Sequence, residues 1–117
     1  MKIDRQAVFN KYNGHCAYCG EPITLKTFQV DHFNSKRMSY QYPDTDVDRF
    51  DNLMPSCRKC NNHKSSMNID LFRREIGRQV ERLMKNTQFQ RALRYGQVKI
   101  TESPIVFYFE SLTPKEQ

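Results

Sequence analysis

The sequence predicts a small α+β domain assembled on a metal-binding frame, and three observations lead there. Two Cys-x2-Cys pairs, Cys16/Cys19 and Cys57/Cys60, are separated by 37 residues. Segments of helical periodicity alternate with short β-branched and aromatic runs. The 117 residues are only 38% apolar and contain no Trp, so one thin hydrophobic core is all that a chain of this length supports.

In chain order, Asp4 through Tyr12 reads as a short helix: Asp4 is an N-cap residue, Val8, Phe9 and Tyr12 recur at helical spacing, and Asn13-Gly14 stops it. Residues 23–30 alternate loosely and end at Val30-Asp31-His32, which predicts a strand that delivers two polar side chains at its end. Residues 33–51 are polar and read as a long loop. From Leu53 the chain passes through Pro55 into Cys57-Arg58-Lys59-Cys60-Asn61-Asn62-His63-Lys64, a short helix. A longer helix follows, capped near Asn68 or Asp70, with Phe72, Ile76, Val80 and Leu83 as its stripe for burial. Thr87 and Gln90 have capping-box spacing, and Gly96 ends the helix they start. Val98–Ile100 and Ile105–Phe109 read as a C-terminal β-hairpin. The whole chain, 1–117, is expected to be one domain, with its core in 14–64, a basic helical segment in 68–96 and the hairpin in 98–109.

Each Cys-x2-Cys places two sulfurs on one knuckle, and two knuckles complete a closed four-thiolate site suited to structural Zn²⁺. Such a site has no open coordination position, so it is scaffold, and metal binding adds folding energy that a thin core lacks. A redox pair or two disulfides are the competing uses of the cysteines. The first fits poorly without a βαβ pattern. The second fits poorly with the location expected here: the amino terminus lacks a secretory apolar core and no apolar run is long enough to span a membrane, which favours a cytoplasmic protein with reduced thiols.

Lys and Arg exceed Asp and Glu by 19 to 13, a net charge of +6. The entire excess lies in residues 71–99, where eight basic residues meet only Glu75 and Glu81. Arg74, Arg78, Arg82 and Lys85 share one helical spacing there, a candidate phosphate-tracking face whose plain alternative is a solvated helix surface. Asp44-x-Asp46-x-Asp48 has the beginning of a calcium loop but carries Arg49 at the sixth position and Pro55 at the twelfth, where Gly and Glu are required, so it reads as a solvated acidic loop. His15, beside the first knuckle, reads as structural.

Cys16-Ala17-Tyr18-Cys19-Gly20, Val30-Asp31-His32, Asp51-Asn52-Leu53 and Cys57-Arg58-Lys59-Cys60-Asn61-x-x-Lys64, in that order, resemble the HNH endonucleases of the ββα-metal type that carry a four-cysteine zinc frame. The resemblance implies a treble-clef-like ββα-metal core and hydrolysis of phosphodiester bonds in DNA, expected to be double-stranded, to leave a 3′ hydroxyl and a 5′ phosphate. It further implies His32 as the general base, Asp31 and Asn61 as holders of one catalytic Mg²⁺ or Mn²⁺, and Asn52 as the residue that braces the loop and orients His32. Lys64 adds positive charge near the scissile phosphate, and His63 is a candidate DNA contact or substitute ligand. An imidazole with a reference pKa of about 6.5 is mostly neutral at pH 7 and suited to the base role. Two departures stand out: Asn61 occupies a place often held by His, and the 19 residues between His32 and Asn52 lack the glycines common there. The resemblance implies a bacterial or phage-type protein and leaves open whether its role is in a phage, restriction, a mobile element or repair. The competing class is a zinc-stabilised nucleic-acid-binding module without catalysis, which needs the cysteines and basic residues but not Asp31, His32, Asn52 and Asn61.

Overall fold

Asp4 opens the first helix by accepting the Ala7 N–H at 3.1 Å through Oδ1, which satisfies one of the donors that a helix start leaves unpaired. The computed structural model describes residues 3–34 and 47–112. The elements in chain order are α1 (Arg5–Asn10), β1 (Gln29–His32), a single 3₁₀ turn (Phe50–Asn52), β2 (Leu53–Ser56), α2 (Arg58–Lys64), α3 (Ile69–Gly77), α4 (Gln79–Leu83), α5 (Thr87–Arg94) and α6 (Tyr108–Ser111). Much of the expected loop, Asp44 and Asp46 included, lies outside the described residues.

The chain divides into two compact units, one running through Ile69 and resuming at Val106, the other spanning Asp70–Ile105. In the first, β1 and β2 pair antiparallel with Gln29 opposite Ser56, Val30 opposite Pro55, Asp31 opposite Met54 and His32 opposite Leu53. Together with α2 on the cysteine frame they form a small α+β core consistent with the ββα-metal arrangement. The strand is shorter than its sequence suggests: the Thr27 and Phe28 N–H groups both donate to Thr24 O, so residues 24–28 form a turn. β2 has no clear strand signature because Pro55 interrupts it, yet Pro55 still serves the fold through its carbonyl, which accepts the Ala17 N–H at 2.8 Å.

Val8, Phe28 and Leu53 make the buried centre of this unit, with Ile3, Phe9, Ile23 and Val30 packed around it. Phe9 meets Phe28 edge to face at 5.5 Å. A second cluster is aromatic: the Tyr18 ring lies edge-on to Phe107 and Phe109, and Phe109 also meets Phe33.

The expected C-terminal hairpin is replaced by a different arrangement. Residues 98–107 carry no strand, and 108–111 are helical. Pro104 has no N–H to offer a ladder, and the backbone of the aromatic run bonds to the first knuckle instead: Tyr108 N–H donates to Tyr18 O and Phe109 N–H to Ala17 O. The alternation that reads as a strand is the packing of Phe107 and Phe109 on the knuckle. Gly20 is what allows the approach: its φ is +80°, and a Cβ there would lie 2.9 Å from the Tyr108 ring.

In the second unit the long helix is interrupted at Arg78 (φ −94°, ψ 2°), between α3 and α4. Of the expected apolar stripe, Phe72 is buried and Ile76 half-buried, whereas Val80 and Leu83 are exposed. The break removes the common face that four regularly spaced residues would share. The N-cap of α5 is Asn86 rather than Thr87, its Oδ1 accepting the Phe89 N–H at 3.0 Å. Gly96, at φ +73°, ends α5 in a Schellman motif, with Gln97 N–H on Ala92 O and Gly96 N–H on Leu93 O. Among the described residues no helix is long and apolar enough to cross a membrane.

Candidate active site

The two knuckles bring all four sulfurs within 4.8 Å of one another, and Cys19 and Cys57 Sγ are 3.8 Å apart. Zn–S bonds of about 2.3 Å give a tetrahedral S–S edge of about 3.8 Å, so the spacing fits one Zn²⁺. Backbone N–H groups of Tyr18 and Cys60 point at Cys16 and Cys57 Sγ, each at 3.4 Å, which favours thiolates. The sulfurs also work against one another: hydrogen bonding, with Cys60 as the chief donor, holds Cys16 well below the ordinary thiol range. Cys60 is raised mainly by serving that bond, and Cys19 by burial. A cation at their centre would let all four ionise together, and the cysteines are suitably placed to bind zinc.

Because Cys57 caps α2 and belongs to the frame, the frame also sets where α2 points. Lys64, two turns along, is fully buried, with Nζ 3.1 Å from Asp31 Oδ2 and 3.1 Å from the His32 carbonyl oxygen. This differs from the expected place at the scissile phosphate: the ammonium is an internal counter-ion for Asp31, inaccessible from solvent. The Tyr18 hydroxyl donates to the same Oδ2 at 2.5 Å. Burial, and then the adjacent carboxylate, hold the Tyr18 phenol far above its ordinary range, so it stays a donor. Two donors thus occupy Oδ2, while Oδ1 takes no hydrogen bond among the described residues.

His32, the last residue of β1, has its side chain 15% exposed, and Nε2 lies 2.7 Å from Asp48 Oδ1. Asn52 is buried and ties together the two chain segments beside it. Its Oδ1 accepts the Asn34 N–H at 2.9 Å, and its Nδ2 donates to Asn34 O at 3.1 Å and Val47 O at 2.7 Å. The Asn52 carbonyl accepts the Phe33 N–H, extending the β1–β2 ladder by one bond. The structure therefore brings Asp31, His32, Asn52 and Lys64 together at one end of the sheet.

Asn61, half-buried on α2, makes no side-chain hydrogen bond among the described residues. His63 is exposed on the same helix. Arg74, Arg78, Arg82 and Lys85 are all exposed, but Arg82 is engaged in an ion pair with Glu75. His15 stacks on Tyr108, with Nδ1 3.2 Å from the Tyr12 carbonyl, a packing role.

Tyr18 and Asp48 are not singled out by sequence reasoning. An aromatic residue inside the first knuckle is the available signal for Tyr18. In sequence Asp48 looks no different from Asp44 and Asp46, and only the tertiary ties through Asn52, from Val47 to Asn34, bring it to His32.

Neither the curated proteins nor the solved structures contain a match to the chain. Residues 16–67, which span the four cysteines, Asp31, His32, Asn52, Asn61 and Lys64, match the HNH endonuclease family model.

Proposed function

We propose that this protein is a metal-dependent endonuclease that hydrolyses phosphodiester bonds in double-stranded DNA. The observation that supports this best is the setting of His32: a partly exposed imidazole at the end of β1, beside the buried Asp31, on a backbone that Asn52 ties down two residues further on, at Asn34.

In this reading the His32 imidazole accepts the proton of the attacking water, and Asn52 keeps its backbone in place. Asp31, through Oδ1, and the Asn61 amide oxygen are hard donors suited to one Mg²⁺ or Mn²⁺. When bound, that cation neutralises charge growing on the phosphoryl oxygens and on the departing 3′ oxygen. Lys64 and Tyr18 fix Asp31 through Oδ2 and leave Oδ1 for the cation. Arg74, Arg78 and Lys85 supply salt-dependent attraction to phosphates without reading bases, with Arg82 in reserve behind its pair with Glu75. His63 is a further DNA contact on α2. The four cysteines hold zinc as a structural ion only.

The test is nicking of a supercoiled plasmid by zinc-loaded protein with Mg²⁺ or Mn²⁺. His32→Ala is expected to lower the rate by about 10²-fold to 10⁴-fold, the usual worth of a general base. Plasmid left intact by both proteins, with DNA still bound, would replace this reading with that of a zinc-stabilised nucleic-acid-binding module.

A further inference from the structure

The Asp44-x-Asp46-x-Asp48 run reads as solvated, yet Asp48, its one described member, meets a candidate catalytic side chain. Asp48 Oδ1 lies 2.7 Å from His32 Nε2, and the two side chains are 32% and 15% exposed. Asp48 is not held there by chance of rotamer alone. The carbonyl of its neighbour Val47 accepts a 2.7 Å hydrogen bond from Asn52 Nδ2, and the same amide bonds to Asn34, two residues past His32. One buried side chain thus fixes the backbone on both sides of the His32–Asp48 contact.

A neutral imidazole carries one N–H and one lone pair, and the bond made at one nitrogen decides which nitrogen has which. A carboxylate can only accept. Against Asp48, Nε2 must therefore carry the hydrogen, and Nδ1 must carry the lone pair. Nδ1 has no hydrogen-bond partner among the described residues, so it is the nitrogen able to take a proton from outside the protein.

We propose that Asp48 is a positioning residue, which holds His32 in the Nε2–H tautomer and aims Nδ1 at the reacting water. This rests on the reading of His32 as the general base. The plain alternative is a partly exposed ion pair, which contributes little and selects nothing.

The test uses the full zinc-loaded chain without added Mg²⁺ or Mn²⁺, and reads the His32 tautomer by long-range ¹H–¹⁵N correlation at a pH where the ring is neutral. Wild type is expected to show Nε2–H. Asp48→Asn, nearly isosteric, offers an NH₂ that can donate to Nε2, so the Nδ1–H form should gain population; Asp48→Ala should give a mixture. Thermal unfolding midpoints within a few degrees of wild type exclude misfolding as the cause. In plasmid nicking, both variants are expected to lower kcat by about 10²-fold, the scale of a misaligned reacting group, with KM unchanged. An Nδ1–H tautomer in wild type, or Nε2–H retained in both variants, overturns the proposal. The NMR result stands whether or not the protein cleaves DNA, so a failed nuclease reading and a failed tautomer assignment are told apart.

Discussion

The Tyr18 hydroxyl lies 2.5 Å from Asp31 Oδ2, so a side chain from within the first cysteine knuckle grips the carboxylate at the end of β1. Tyr18 is anchored by its position between Cys16 and Cys19 and by edge-on contact with Phe107 and Phe109. The zinc frame and the candidate catalytic carboxylate are thus one hydrogen bond apart.

Tyr18→Phe keeps the ring and removes that bond. A hydrogen bond to a charged group contributes about 1.5–3 kcal/mol, and a loss of that size is expected in urea unfolding. The pH dependence has a definite sign. Folding raises the Tyr18 phenol above its ordinary 10.0, so above pH 10 the unfolded chain releases a proton that the folded chain keeps. Stability is fully present below pH 10 and falls by up to about 1.4 kcal/mol per pH unit above it. That alkaline decline should be shallower in Tyr18→Phe, and equal slopes in the two proteins would refute it.

Lys64→Met tests the buried pair. Removing one partner leaves the Asp31 carboxylate buried without its counter-ion, at an expected cost of about 3–5 kcal/mol. Lys64→Met combined with Asp31→Asn should recover much of that loss, since the uncompensated charge is gone. Additive destabilisation in denaturant titrations would mean that the two residues do not act as a pair.

Zinc removal should act on the whole first unit rather than on the knuckles alone. The frame sets α2 through Cys57 and β2 through the bond from Ala17 to Pro55. Binding energies for structural zinc are of order 10 kcal/mol, as large as the entire stability of a small domain. The purified protein is expected to contain one zinc per chain, and a strong chelator should abolish its cooperative thermal transition. A transition unchanged by complete zinc removal would show that the apolar core suffices.

The basic face predicts an ordering among its arginines. Arg82 already pairs with Glu75, while Arg74 and Arg78 carry their charge on exposed side chains. Removing one cation that neutralises a phosphate lowers the slope of log Kobs against log salt by about 0.9 on duplex DNA. Arg78→Ala should flatten the slope by that amount and Arg82→Ala by less. Slopes that match wild type would return this surface to simple solvation.

The cysteine frame is readable from sequence because a Cys-x2-Cys knuckle is a local device whose geometry depends little on what surrounds it. The strand end at Asp31-His32 is readable for a similar reason, since β-branched and aromatic runs mark it locally. β2 is hidden by Pro55, which contributes a carbonyl and no N–H. The aromatic run at 105–109 misleads because a docked segment and a strand both show alternating packing, and only its partners tell them apart. Val80 and Leu83 lie beyond a helix break at Arg78, which Gly77 marks in the sequence but which the regular apolar spacing across it conceals. The charge of Lys64 suggests a place at the substrate, whereas the direction of α2 turns it inward. Asp48 depends on a contact 16 residues distant, which no local pattern encodes.

Arg73 reaches from one end of the second unit to the other, with a guanidinium nitrogen 2.6 Å from the Ile105 carbonyl. In sequence, the 70–105 stretch is thus an insertion between Ile69 and Val106, with its own two ends held near each other. Inserted modules are tolerated where their ends lie close together. Recombination can thus exchange this cassette for another of different length or charge between the same two joints in the sequence. The basic segment then diversifies in length and charge while the knuckles and the His32 end of the sheet are inherited unchanged.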